Sequence, residues 1–164
     1  VLQLQLPLQF HTPNGMHARF LDSKMAQLLR RAGFVKPVLS LETAVETSWH
    51  TKITVPELET AIANLRQAGY KQGEYLVYLL LGAPGSSEES LLTSIELVHK
   101  LGAMISLSEF SPIPGTILGE RYPEAIREPL LQNNTIFPAV EPEMQPIMQR
   151  LKTTARKLNG ELRK

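Results

Sequence analysis

The sequence predicts an α/β fold, a partial (βα) TIM-type barrel with parallel strands inside, helices on the outer face and further helices at the C-terminal end. Three observations carry this. Helical periodicity closes on glycine at Gly33, Gly69 and Gly102, a spacing of about 35 residues that suits one βα unit. β-like runs flank those helices at residues 2–10, 37–42, 75–81 and 104–110, and such alternation implies right-handed crossovers and a parallel sheet. Two of the runs are polar on one face: Gln3, Gln5 and Gln9 alternate with leucines, and Ser40 and Glu42 alternate with Leu39 and Leu41. The inward side therefore reads as a cavity wall, because a purely structural barrel would fill its lumen with Val, Ile and Leu.

Each element follows from its pattern. In the first strand Leu2, Leu4, Leu6, Leu8 and Phe10 face the helices. The first helix starts at an Asp22 N-cap and buries Met25, Leu28, Leu29 and Ala32, an i, i+3, i+4, i+7 stripe. The second opens on Thr54 and Glu57 in capping-box spacing, accepts Pro56 in its first turn and buries Leu58, Ala61, Ile62, Leu65 and Ala68. Residues 76–81 are apolar throughout, as expected of a parallel strand covered on both faces. The third helix opens on Ser86 and Glu89 and buries Leu91, Leu92, Ile95 and Val98. Beyond Ser111 come a proline-bearing loop and two helical stretches, residues 124–132, interrupted by Pro129, and 145–158. The last carries Ile147, Met148, Leu151, Ala155 and Leu158 at helical spacing, and its Arg150, Lys152, Arg156 and Lys157 read as solvated surface. The expected division is a barrel portion, 1–118, and a C-terminal helical extension, 119–164.

With 164 residues and 43% hydrophobic composition, the chain can bury one compact core. A net charge of +1 gives no global field toward nucleic acid or an anionic membrane. No apolar run approaches the roughly 20 residues of a membrane span, and the expected location is the cytoplasm. The chain has no cysteine, which excludes disulfides, thiolate nucleophiles and a cluster held by its own sulfurs. No metal site is expected either: His11, His17 and His50 read as loop residues and His99 as helix surface. Tyr75, Tyr78 and Trp49 read as packing. The opening at Val1, in mid-strand and without an initiator Met, suggests that the natural polypeptide extends upstream. The open edge at residues 2–10 would then invite pairing between copies.

Ligands of parallel sheets bind at the carboxyl ends of the strands, where loops converge. The turns there read Thr12-Pro13-Asn14-Gly15, Glu42-Thr43-Ala44, Gly82-Ala83-Pro84-Gly85 and Ser111-Pro112-Ile113-Pro114-Gly115-Thr116. With Ser40-Leu41-Glu42-Thr43 at the second and Glu109-Phe110 before the last, residues 2–118 resemble strands three to six of the radical S-adenosylmethionine (SAM) superfamily, of the type with an upstream cobalamin-binding domain. The resemblance implies a six-stranded partial barrel in which a 4Fe-4S cluster, held by a CxxxCxxC loop after the first strand, reductively cleaves SAM to a deoxyadenosyl radical. It implies Thr12 and Asn14 beside the methionine moiety, and Ser40 and Glu42 near its amino or ribose groups. It places the segment from Leu79 through Leu81 to Gly82 on adenine, with backbone contacts from Ser111, Pro112 and Ile113 to the adenine edge. Lys52 stands where relatives often carry an arginine for the SAM carboxylate, a point charge in place of a fork.

No residue is assigned to catalysis. The cysteine loop and the glycine-rich second-strand motif are absent, so the expected role is the SAM-binding wall of such an enzyme. The expected partners are the missing N-terminal barrel half and a small-molecule substrate, and cobalamin is a further expected cofactor. Taken without the resemblance, Glu42 serves equally to pair with Lys52 or cap a helix. The turn at residues 82–86 could likewise cradle a phosphate, though it lacks a P-loop lysine. Two other classes therefore stay open: a non-catalytic module that pairs through an exposed sheet edge, and an unrelated (βα) barrel that binds a phosphorylated metabolite.

Overall fold

The computed structural model describes residues 6–45, 53–123, 127 and 142–163. A two-stranded parallel sheet joins β1 (Phe10–His11) to β3 (Phe34–Lys36). A four-stranded sheet runs in the order β2 (Met16–His17), β4 (Val38–Glu42), β5 (Leu76–Leu81) and β6 (Met104–Glu109), every pair parallel. The helices are α1 (Ser23–Ala32), α2 (Val55–Gln67), α3 (Glu88–Lys100) and α4 (Met144–Glu161). This is the partial (βα) barrel architecture that the alternation of periods predicts.

Register sorts the side chains. Leu39, Val77 and Ile105 are lateral partners and enter one core with Leu41, Leu79 and Leu81. Side chains alternate faces along a strand, so the partners Ser40, Tyr78 and Ser106 lie on the opposite face. So do Val38, Leu76 and Met104 one layer below; Val38 and Met104 are buried yet stand outside the helix-side core. That core is completed by Leu58 and Leu65 of α2, Ile95 and Val98 of α3, and Leu151 and Ala155 of α4. The C-terminal helix thus shares the barrel's core.

The helix starts are local chemistry. Asp22 accepts a hydrogen bond from Met25 N at 2.7 Å, and Gly33 closes α1 in the left-handed conformation at φ 92°. Thr54 and Glu57 form the expected capping box on α2. Arg19 donates to the same Glu57 at 2.7 Å, and this hydrogen bond, with the cap, holds the carboxyl down at about 2. The pair ties the 3-10 turn after β2 to the start of α2.

Three expectations give way to geometry. Residues 6–9 form no strand, and Leu6 and Leu8 are 50% and 46% exposed. Pro7 has no N–H, and Leu8 N bonds Leu6 O across it at 2.8 Å, a γ-turn that delays pairing until Phe10 N meets Gly33 O. In α1 the fully buried positions are Ala26 and Leu29, while Met25 is 46% exposed; the stripe is rotated one residue, with a small side chain facing the core. The cap of α3 is Ser87 paired with Ser90, because Ser86 N is spent closing a turn on Ala83 O. The strand expected at residues 37–42 does form, as β4, and the short β3 just upstream of it is what pairs with β1. The helix expected at residues 124–132 lies largely outside the described residues, as do Gln3, Gln5, Trp49, His50 and Lys52.

Along β6 the N–H and C=O groups turned away from β5 would form a raw sheet edge. Asn159 of α4 meets both of them at one residue: Ile105 N donates to its Oδ1 at 2.7 Å, and its Nδ2 donates to Ile105 O at 2.9 Å. One side-chain amide so imitates a neighbouring peptide. Arg150 forks onto Glu88, closest at 2.9 Å, and Lys152 pairs with Glu109, fixing α4 to α3 and to the end of β6. Asn159→Ala leaves two strand groups unpaired, so it should lower unfolding stability by about 1–3 kcal/mol in urea titration; an unchanged midpoint would contradict the edge-pairing role.

Candidate functional site

A cleft of about 590 Å³ opens at the carboxyl edge of the sheet. Its strand wall is Ser40 and Glu42 of β4, Tyr78, Leu79 and Leu80 of β5, and Ser108 of β6. Its other wall is the segment after β6, which contributes Phe110, Ser111, Ile113 and Thr116 to Leu118 with Arg121. The floor is set by the same pleat that builds the core: Tyr78 and Leu80 are the half-buried members of a strand whose alternate residues, Val77, Leu79 and Leu81, are buried.

Glu42 sits in a strained position. Between Ser40 and Glu42 the register slips, so that Ser40 faces Tyr78 while Glu42 faces Leu79, leaving Leu41 as the extra residue of a β-bulge. Glu42 is the sole non-glycine at positive φ, 70°, among the described residues, a conformation that costs an L-residue on the order of 1–2 kcal/mol. The loop beyond it is tied down from the helix side. Ser94 of α3, 1% exposed, accepts from Ala44 N at 2.9 Å and donates to Ser90 O at 2.9 Å, and Thr43 Oγ1 accepts from Val45 N at 3.2 Å. A buried serine thus holds the turn that carries the carboxylate.

Ser40 is crowded by design of the backbone. A Cβ on Gly15 would lie 2.0 Å from Ser40 Oγ and 3.0 Å from its N, so only glycine lets the neighbouring chain pass. Thr12 Oγ1 accepts from Val38 N at 3.0 Å and so fills the gap in the ladder between β1 and β2. The Thr12-Pro13-Asn14-Gly15 segment is therefore a break within an interrupted strand, with β2 following it.

Of the positions implied by the family resemblance, Ser40, Glu42, Leu79, Leu80, Ser111 and Ile113 line the cleft; Thr12, Asn14, Leu81, Gly82 and Pro112 do not. Leu81 is fully buried in the helix-side core, and Leu80, one residue earlier, is its counterpart on the cleft side. His17, expected in a loop, lies in β2 beside Ser40, with its ring 5.0 Å from that of Phe20 and its Nδ1 buried without a hydrogen-bond partner among the described residues. His11 lies in β1. His99 does lie on a helix, where its Nε2 is 3.5 Å from Glu161. Tyr75 packs as expected, with its hydroxyl between Arg66 and Leu101 O, whereas Tyr78 faces the cleft.

Ser108 and Arg121 have no counterpart in the sequence analysis, which names Thr116 only as the end of the turn after the last strand. The alternation Ile105, Ser106, Leu107, Ser108 in β6 carries the same signal as Leu39, Ser40, Leu41, Glu42 and could have revealed Ser108. Nothing in the local pattern marks Arg121. Among the described residues no three or more His, Asp or Glu side chains gather where a metal ion could be held, and no described helix is long and apolar enough to cross a membrane.

No family model matches the sequence, and no curated protein matches it. Among solved structures, the chain is similar to coproporphyrinogen III oxidase (HemN) from Escherichia coli, a radical SAM enzyme, with a TM-score of 0.56 at 14% identity. The match covers 86% of this chain and 31% of that one, so the chain spans under a third of the length of that enzyme. At this identity the likeness is one of fold alone: the chain has the fold of part of that enzyme.

The strain at Glu42 gives a test of the bulge. Glu42→Gly and Glu42→Ala both delete the carboxylate, but only glycine accepts φ 70° freely. The glycine variant should be the more stable of the two by about 1 kcal/mol in denaturant titration, against the usual order within strands; an alanine variant of equal or greater stability would show that the backbone there is not left-handed.

Proposed function

We propose that this chain forms the SAM-binding wall of a radical SAM barrel whose cluster is held by another polypeptide segment. The single observation that carries the proposal is the cleft at the carboxyl edge of a sheet with the fold of part of a radical SAM enzyme. In this reading Leu80 and Ile113 supply apolar surface for an adenine ring, Ser40 and Glu42 hydrogen-bond ribose or amino groups, and Ser111 contributes polar contacts at the ring edge. Asn14, Gly82 and Lys52 are proposed to approach the ligand only in the completed barrel. Pre-set strain and a buried serine behind Glu42 hold its carboxylate where a ligand needs it, which lowers the cost of ordering it on binding.

The donor set does not fit a 4Fe-4S cluster, since iron-sulfur clusters are held by Cys thiolates and the chain has no cysteine. SAM bound at this wall would be the source of radical chemistry once a cluster held by the other segment supplies an electron. Cobalamin belongs to the finer part of the proposal and rests on the Thr-Pro-Asn-Gly and Glu-Phe-Ser-Pro motifs alone. The missing barrel half is the proposed partner, and the cytoplasm the proposed location.

Calorimetric titration of SAM tests this, using the chain alone and the chain combined with a polypeptide that carries the cysteine loop and the first strands. SAM should bind tightly only in the combination, and Ser40→Ala with Glu42→Ala should weaken it there by about tenfold or more, the loss of hydrogen bonds to a polar ligand. Binding to the combination unaffected by the double substitution would reject the reading, as would no binding at all.

A further inference from the structure

The geometry points to a second ligand class at the mouth of the same cleft: an amphipathic organic anion, its apolar body on Ile113 and Ile117 and its anionic oxygens on Arg121. The inference rests on the reading of the cleft as a ligand site and adds what its outer wall selects.

The segment after β6 is a built structure. Phe110, buried, holds its ring 5.5 Å from that of Tyr122 at a tilt of 53°, so the two ends of the segment are clamped together, as in a compact Ω-loop. Inside it Thr116 is the hub: its Oγ1 donates to Ile113 O at 2.8 Å and accepts from Gly119 N at 3.0 Å, while its carbonyl accepts from Glu120 N at 3.0 Å. Gly119 is buried so closely against Ile113 that a Cβ would stand 2.0 Å from Ile113 O. The 3-10 turn Gly119–Arg121 follows at once. Its position is fixed by the hub and by the Phe110–Tyr122 clamp.

What this loop presents to the cleft is unusual for solvent-facing residues. Ile113 is 62% exposed and Ile117 is 79% exposed, both on the cleft wall with Arg121. A cation beside exposed apolar surface offers a contact for each part of a molecule that has both characters. The Arg121 guanidinium has no hydrogen bond or ion pair among the described residues, and its planar fork matches carboxylate or phosphate oxygens. Glu42 on the facing strand wall is the other charged residue among the described residues that line the cleft. Its negative charge favours an orientation in which the anion stays at the Arg121 end.

The test uses the full chain with isotope-labelled isoleucine methyls and three probes of one chain length, octanoate, octyl phosphate and octanol. Both anions should shift the Ile113 and Ile117 methyl resonances and bind at least about tenfold more tightly than octanol; the tighter of the two identifies the oxygen acid preferred. Arg121→Gln, at an exposed position, should erase that preference while leaving octanol binding unchanged, and Arg121→Lys should restore part of it. Equal affinity for octanol and the anions, a preference that survives Arg121→Gln, or shifts confined to other isoleucines would overturn the assignment. A chain that answers to octanoate when its SAM complex has failed to form keeps the Arg121 assignment and loses only the SAM reading; one that answers to no probe loses the Arg121 assignment.

Discussion

The in-register parallel pairing of β4, β5 and β6 is the constraint on which everything else depends. Because neighbours across three strands share a face, Leu39, Val77 and Ile105 form one apolar layer under the helices and Ser40, Tyr78 and Ser106 one polar layer on the far side. A slip of one residue would exchange the layers. The backbone of the last strand is protected from such a slip by α4, whose Asn159 fastens Ile105 from outside. The helix expected to be an extension is in this sense the fourth wall of the barrel's core.

Above the register, local departures make the site. The bulge at Leu41 turns Glu42 into a left-handed conformation at the strand end, and Ser94 anchors the loop that follows. Gly15 admits the adjacent chain against Ser40. The Phe110–Tyr122 clamp folds the β6 segment back over the carboxyl edge. Each feature is an exception to regular geometry, and the exceptions gather around one cleft, as strain does where a structure is over-determined by its surroundings.

The fold was legible because it is written in periods and caps. Gly33, the Asp22 cap and the Thr54 capping box stand where they were expected, since such signals are local. The polar face of β4 was legible for the same reason. What could not be read depends on one segment meeting another. Residues 6–9 looked like strand by alternation, but Pro7 turns the chain before it can pair. Residues 76–81 are apolar at every position, so the sequence holds no sign of which face is which; the register with Ser40 alone assigns Leu80 to the cleft and Leu81 to the core. Arg121 reaches the cleft through a loop fold set by Thr116, Gly119 and the ring pair, contacts that no spacing rule encodes.

The central claim is that the strand wall of this cleft receives the nucleoside of SAM. Photolabelling with 8-azido-S-adenosylmethionine, in the presence of the complementary barrel segment and followed by peptide mapping, examines it most directly. The account predicts cross-links to the peptides that contain Tyr78 to Leu80 and Ser108 to Ile113, lost when excess SAM is added. Labelling concentrated on the outer helices, or labelling that excess SAM does not prevent, would contradict it.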